Sequence, residues 1–237
     1  MSGQQTKVKG VVDLVFLMDI SGSMEPCLEA LKKNVQTFVT ALTDKDANGN
    51  QLVKEWRAAA MGFRDVVADK GKWFHANPFV ASVEELRTQL TGLEPEGGGD
   101  EPESLLDALH KVAMMPDAER GQPPGPTQWR YRSDAMRAIV VFSDASFPRK
   151  LVEPAGATLE DVRTLLMEKR IVLTLFAPDL DFYKDLTLVP KSNWHKVSGG
   201  DTPQKSLELF SEDRAKFQDT LIKLGQTLSK TAGVPLL

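Results

Sequence analysis

The sequence has few of the residues that build covalent cross-links or soft-metal sites. It contains a single cysteine, Cys27, and three histidines scattered along its 237 residues. One cysteine excludes an internal disulfide and a zinc site built from cysteines. The histidines lack the spacing of a metal cluster or a catalytic triad, so we interpret them as surface or core residues. The chemistry of this chain must therefore come from oxygen-bearing side chains.

Long apolar runs and an excess of positive charge are also absent. No apolar run reaches the roughly 18 residues of a membrane span, and residues 1–10 lack the apolar core of a signal peptide. We therefore expect a soluble, cytoplasmic protein without membrane insertion. The chain has 29 Lys and Arg against 33 Asp and Glu, a net charge of −4. This balance gives no general attraction to nucleic acid.

The most informative stretch is residues 11–24, VVDLVFLMDISGSM. It opens with a short apolar run typical of a fully buried strand and ends in the polar residues Asp19, Ser21 and Ser23. From about residue 25 to residue 43, apolar residues recur at steps of three and four, which predicts a helix. The polar cluster therefore lies on a strand-to-helix turn, where open α/β sheets bind ligands.

The remaining pattern predicts an α/β fold. Apolar runs at 57–63, 138–142 and 171–176 predict further buried strands, and helical patterns occupy much of the chain between and after them. Such strands, alternating with helices, indicate a doubly wound, mostly parallel sheet with helices on both faces. We expect residues 1–10 to form a polar tail and 11–237 a single domain. Residues 116–134, rich in Pro, Gly and Arg, predict a solvated surface loop inserted into that domain.

Side chains with oxygen ligands are expected in three loops at the ends of strands. Carboxylates and hydroxyls without His or Cys suit Mg²⁺, with Mn²⁺ or Ca²⁺ as competitors. As an alternative, Asp and Ser cap helices in many proteins, and acidic residues favour helix N-termini electrostatically. The six candidates for metal ligation are Asp19, Ser21 and Ser23 in the first loop, Asp100 and Glu103 in the second, and Asp144 in the third.

The D-x-S-x-S motif at 19–23, the G-G-x-D-x-P-E motif at 97–103 and a strand followed by Asp144 together resemble a von Willebrand factor A domain with a metal-ion-dependent adhesion site. The resemblance extends over about residues 11–231 and implies a Rossmann-like, six-stranded sheet. It also implies that Ser21 and Ser23 ligate Mg²⁺ directly. Asp19 and Asp144 would then act largely through water or hydrogen bonds.

The second loop departs from the commonest family pattern, which has a threonine there. Its sequence GGGDEPES is similar to a subgroup that includes integrin β-subunit inserted domains and the A domain attached to some alpha-kinases. Counting back from the helix motif at 107–109 puts Glu103 at the ligand position. Whether Glu103 or Asp100 is the direct ligand stays open, as does the part played by Arg64 and Asp65.

The resemblance implies a metal-dependent protein-interaction module rather than an enzyme, acting as an adaptor in an intracellular complex or signalling system. A partner protein would supply an Asp or Glu to the metal. One alternative is a metal-dependent hydrolase or phosphotransferase, because Asp19 after a buried strand superficially resembles the nucleophile of haloacid-dehalogenase phosphatases. Those enzymes need a second Asp where this chain has Ser21. The other alternative is a structural A domain whose metal only stabilises the fold.

Overall fold

The computed structural model describes residues 10–97 and 102–232, which form six strands and seven α-helices. Residues 1–9 of the tail expected at 1–10, and the candidate ligand Asp100, lie outside the described residues. The strands are β1 (Val11–Asp19), β2 (Glu55–Phe63), β3 (Phe74–His75), β4 (Met136–Phe142), β5 (Ile171–Pro178) and β6 (Asn193–Val197). The helices are α1 (Glu25–Thr43), α2 (Val83–Thr91), α3 (Leu105–Ala113), α4 (Leu159–Glu168), α5 (Asp181–Leu186), α6 (Pro203–Glu212) and α7 (Arg214–Ala232).

The strands form one six-stranded sheet in the order β3-β2-β1-β4-β5-β6. The short edge strand β3 is antiparallel to β2, and every other neighbouring pair is parallel. The predicted α/β class with a doubly wound, mostly parallel sheet is therefore confirmed. No described helix is both long and apolar enough to cross a membrane.

Two apolar cores cover the two faces of the sheet. Alternate residues of β1 point to opposite faces, so Phe16 packs in one core and Leu17 in the other. The first core holds α1, α2, α6 and α7, and the second holds α3, α4 and α5. This explains why the central strands are continuous apolar runs: both of their faces are covered by helices.

The segment at 116–134 is more tightly held than the solvated loop that its composition predicts. Trp129 is fully buried, and its indole N–H donates to the Val112 carbonyl oxygen at 3.0 Å. Next to it, the backbone N–H of Arg130 donates to Asp13 at 2.7 Å, and the Arg130 guanidinium also bonds that carboxylate. Asp13 is itself fully buried in β1, and its carboxylate accepts hydrogen bonds from both Nε and Nη2 of Arg57. An ion-pair network therefore fixes this segment at the amino ends of the strands.

Helices α6 and α3 are less clear from the sequence than the other elements. The pattern does not predict α6, because its buried positions include Ser206 and Ser211 beside two apolar residues. Helix α3 begins at Leu105, with Ser104 as its N-cap, although Pro102 would also suit a first helical turn. Residues 102–104 lie in the loop that approaches the candidate site.

Candidate metal centre

The carboxyl ends of β1 and β4 lie side by side at the centre of the sheet. The chain leaves β1 toward β2 on one side and leaves β4 toward β5 on the other. Such a reversal of strand order opens a crevice where α/β proteins bind ligands. Met18 pairs with Phe142 in the parallel register. Asp19 and Ser143, which follow them, therefore come together at this crevice.

Asp19 is fully buried, and within residues 10–97 and 102–232 it accepts hydrogen bonds from Ser21 in the first loop and Ser143 in the third. Its Oδ1 accepts hydrogen bonds from the backbone N–H of Ser21 at 3.0 Å and from the Ser21 hydroxyl at 2.7 Å. Its Oδ2 accepts from the Ser143 hydroxyl at 2.8 Å. The Oγ atoms of Ser21 and Ser23 are 3.3 Å apart. Two hydroxyl oxygens therefore stand together beside a buried carboxylate, and Ser23 is exposed to solvent.

Glu103 brings the second loop to the same edge. It is 3% exposed, and its backbone N–H donates to the Ser146 carbonyl oxygen in the third loop at 3.0 Å. Its Oε2 is buried and makes no hydrogen bond with any residue of 10–97 or 102–232. An unsatisfied buried carboxylate oxygen is costly, so this atom is suited to a cation that the polypeptide itself does not provide.

Burial and neighbouring negative charge act together on Asp19 and Glu103 at this edge. Burial, reinforced by the negative charge of Asp144, raises the pKa of Asp19 to about 7, although the bonds from Ser21 and Ser143 oppose the rise. Burial raises the pKa of Glu103 to about 8, and the charges of Asp19, Asp65, Asp69 and Asp144 contribute. Within the described part of the chain, no cationic side chain contacts Asp19 or Glu103. A bound cation would relieve this repulsion.

The donor set of the edge is mixed. Among residues 10–97 and 102–232, no three His, Cys, Asp or Glu side chains form a chelating group by themselves. The oxygens that converge here come instead from hydroxyls and carboxylates together, an all-oxygen set that fits Mg²⁺. Of the six predicted ligands, the structure brings five to this edge: Asp19, Ser21, Ser23, Glu103 and Asp144. The choice between Glu103 and Asp100 stays a prediction.

Arg64 joins the first and second loops, a role that its sequence position did not reveal. Its side chain is 5% exposed, and its Nε donates to the Ile20 carbonyl oxygen at 3.2 Å. Its Nη2 donates to the Glu94 carbonyl oxygen at 2.7 Å, and Nη1 lies 3.4 Å from Oε1 of Glu96. The backbone N–H of Glu96 donates to Ile20 as well, at 3.1 Å. Arg64 therefore holds the two loops in a fixed relation.

Two serines at the site escaped prediction. Ser143 is 1% exposed and anchors Asp19, and the only sequence signal for it is its place directly after an apolar strand. Ser104 is also buried, and its hydroxyl donates to Asp65 at 3.3 Å while accepting from the backbone N–H of Val66 at 3.0 Å. Ser104 thus connects the start of α3 to the segment after β2.

Comparison with known proteins supports the fold. No family model and no curated protein matches this sequence. Among solved structures, the VWA domain of SpRpn10 matches with a TM-score of 0.52 and 11% identity over 83% of this chain and 92% of that domain. Proximal thread matrix protein 1 from the mussel byssus matches with a TM-score of 0.53 and 14% identity over 91% of this chain. This chain spans about half, 47%, of the mussel protein. At such identities the likeness shows a von Willebrand factor A-like fold and nothing finer.

Proposed function

We propose that this chain is a protein-interaction module whose binding to partners depends on a divalent metal, Mg²⁺ by preference. Ser21, Ser23 and Glu103 would hold the ion directly, with Asp100 as the alternative to Glu103. Asp19 and Asp144 would act largely through water or hydrogen bonds. When bound, the ion supplies an electrophilic centre for a carboxylate of the partner.

The observation that carries this proposal is the environment of Asp19. A fully buried carboxylate orients the Ser21 hydroxyl and is itself oriented by Ser143. Close to it stands Glu103, whose Oε2 has no hydrogen-bond partner among the described residues. Carboxyl groups whose pKa is raised by burial and by neighbouring negative charge suit a cation better than they suit a helix cap, since a cap needs no buried repulsion.

The same geometry argues against the phosphotransferase alternative. An aspartyl nucleophile must reach the substrate with a free carboxylate oxygen. Both oxygens of Asp19 accept hydrogen bonds, and the side chain has no solvent exposure. Asp19 is therefore placed to hold other groups rather than to attack, and we expect no catalytic turnover.

The test is capture of partners from a native lysate by the immobilised chain, with Mg²⁺ or with EDTA, and with the Ser21→Ala variant. The expected result is a set of partners present only with wild-type protein and Mg²⁺. Partners that bind equally under all conditions would contradict the proposal. If EDTA lowers the melting temperature but leaves capture intact, the metal is structural, which is the remaining alternative. Identification of the partners would also test the adaptor role and the intracellular location that we expect.

A further inference from the structure

A groove of about 900 Å³ lies on the face of α1, between α2 and the junction of α6 with α7. Its wall along α1 begins at Pro26, three residues after the candidate ligand Ser23, and continues to Asn34. The opposite walls carry Arg87 of α2 and Arg214 of α7. The groove therefore starts beside the candidate metal centre and runs away from it along α1.

Positive charge predominates in this groove although the whole chain has a net charge of −4. Its lining contains four cations and two carboxylates. Only one cation, Lys32, is paired there, with Glu29 at 2.9 Å. The other three make no ion pair with a residue of the described ranges. The lining cations are Lys32, Lys33, Arg87 and Arg214, and the carboxylates are Glu29 and Glu212.

The floor of the groove is fixed by side-chain hydrogen bonds. Asn34 is 5% exposed, and its Nδ2 donates to the Ala30 carbonyl oxygen at 2.8 Å. Its Oδ1 accepts from Gln218 of α7 at 2.8 Å, which ties α7 to α1. Ser211 is buried and donates to the Leu207 carbonyl oxygen at 2.7 Å. A floor that is already ordered lowers the entropic cost of binding a partner.

We propose that this groove, the α1 groove, docks an acidic segment of the same partner protein whose carboxylate binds at the metal centre. The inference rests on the proposed function and adds to it the chemistry of the partner. Residues 26–34 of α1 cover about 12 Å at about 1.5 Å per residue. An extended peptide covers that length in about four residues at about 3.3 Å each. We therefore expect the partner motif to contain one Asp or Glu that binds the metal, with further acidic residues within about four positions of it.

Charge complementarity favours an acidic peptide over a phosphate polymer. The carboxylates of an acidic peptide lie on separate residues. They can therefore contact Lys33, Arg87 and Arg214 without coming close to the acidic residues of the lining. A continuous nucleic-acid backbone would also approach Glu29 and Glu212, which repel it. The net charge of −4 adds long-range repulsion against such a polymer.

The experiment is a selection of peptides from a random phage-displayed library on the full chain in Mg²⁺, followed by affinity measurement with the selected synthetic peptides. The variant is Lys33→Ala/Arg87→Ala/Arg214→Ala. The matched control is Lys54→Ala/Arg120→Ala/Lys230→Ala, which removes the same charge from exposed positions outside the groove lining. We expect the selected peptides to be rich in Asp and Glu. We expect them to bind the groove variant about tenfold more weakly, and the control nearly as well as wild type.

A second measurement separates this inference from the proposed function. The binding of each peptide is also measured in EDTA. In addition, a single-carboxylate form of each peptide is made, in which Asn or Gln replaces every Asp and Glu except one. Loss of binding in EDTA with no difference between the two triple variants leaves the metal-dependent function standing and overturns the groove inference. Binding that needs the groove cations but is unaffected by EDTA contradicts the metal-dependent function instead. We expect the single-carboxylate form to bind only with Mg²⁺, and to bind the groove variant with the same affinity as the wild type.

Three further results would overturn the inference. One is selected peptides without an excess of acidic residues. Another is a loss of peptide affinity that is as large in the control as in the groove variant. The third is displacement of the peptides by a short single-stranded oligonucleotide at equal strength, with the same dependence on Lys33, Arg87 and Arg214, since that would make the groove a general polyanion site. Calorimetry with Mg²⁺ alone checks that the groove variant still binds the metal.

Discussion

The hydroxyl of Ser143 donates a 2.8 Å hydrogen bond to Oδ2 of Asp19. Both side chains are buried, and they belong to the ends of two adjacent parallel strands, β4 and β1. The bond therefore fixes the third loop against the first and leaves Oδ1 of Asp19 to orient Ser21. Three loops from distant parts of the sequence thus reach one edge with their oxygens already ordered.

Ser143→Ala removes the only observed hydrogen bond to Oδ2 of Asp19 from the described residues. We expect it to lower the free energy of unfolding by about 1–3 kcal/mol, because a buried acceptor loses its donor. We also expect weaker Mg²⁺ binding, since Asp19 is no longer oriented. Urea denaturation and calorimetry measure the two effects. Ser133→Ala, whose hydroxyl bonds Asp134 in the remote 116–134 segment, is the control and should change neither.

The metal-free protein should lose stability as the pH rises. In the folded state, burial and neighbouring carboxylates raise the pKa of Asp19 to about 7 and that of Glu103 to about 8. Between about pH 4 and pH 8 the folded state therefore holds protons that the unfolded state has released. The free energy of unfolding should fall with pH over that window, by at most about 1.4 kcal/mol per pH unit for each group.

Glu103→Gln tests this pH dependence. The neutral amide should flatten the decline in EDTA and make the variant more stable than wild type near pH 8. Glu119→Gln, an exposed position elsewhere, should leave the profile as it is in wild type. Because protons compete with the ion, stabilisation of the wild type by Mg²⁺ should grow as the pH rises. A wild-type profile that Glu103→Gln does not alter would contradict the role of this side chain.

Asp13→Asn should damage the fold without affecting the metal centre. It removes the buried carboxylate that Arg57 and Arg130 share at the other end of the sheet, and leaves Arg57 without its ion-pair partner. Breaking a buried pair in this way typically costs about 3–5 kcal/mol. Glu55→Gln touches only the exposed end of the same network and should cost less than about 1 kcal/mol. Loss of Mg²⁺ binding in a folded Asp13→Asn protein would show that the two ends are coupled, contrary to this expectation.

Gly225→Ala should separate α1 from α7. A Cβ atom at this position would lie 2.8 Å from the Leu42 nitrogen and 2.9 Å from the Phe38 oxygen, both backbone atoms. We expect a net loss of stability, because backbone contacts this short put the overpacking cost toward the upper part of the usual range of about 1–3 kcal/mol, above the roughly 1 kcal/mol that alanine gains over glycine in a helix. At Gly92 the same Cβ meets nothing closer than 3.5 Å, so Gly92→Ala should be nearly neutral. Thermal denaturation of both variants measures the contrast.

The central sheet could be predicted because its signals are local. The continuous apolar runs of β1, β4 and β5 follow from burial on both faces, and the spacing of apolar residues gave the bounds of α1 without error. The D-x-S-x-S motif is local as well, so the sequence alone predicts that Asp19 belongs to a site. In contrast, the sequence pattern does not predict α6, in which two of the four buried positions are serines rather than apolar residues.

The missed features depend on contacts between distant residues. Asp13 stands in an apolar strand, and only its Arg57 and Arg130 partners, 44 and 117 positions away, explain it. Ser143 and Arg64 act by bonding loops that the sequence separates widely. No pattern within a window of ten or twenty residues contains such pairs. Local patterns therefore predict most of the helices and strands and the positions of candidate ligands, but not the bonds that fix them.

The most direct test is calorimetric titration of Mg²⁺ into EDTA-treated, dialysed protein, comparing wild type with Ser21→Ala and with the Ser133→Ala control. The account predicts one ion bound per chain in wild type and in the control, and at least tenfold weaker binding in Ser21→Ala. Absence of Mg²⁺ binding by the wild type, or equal binding by Ser21→Ala, would contradict the claim that Asp19, Ser21 and their neighbours form a metal centre.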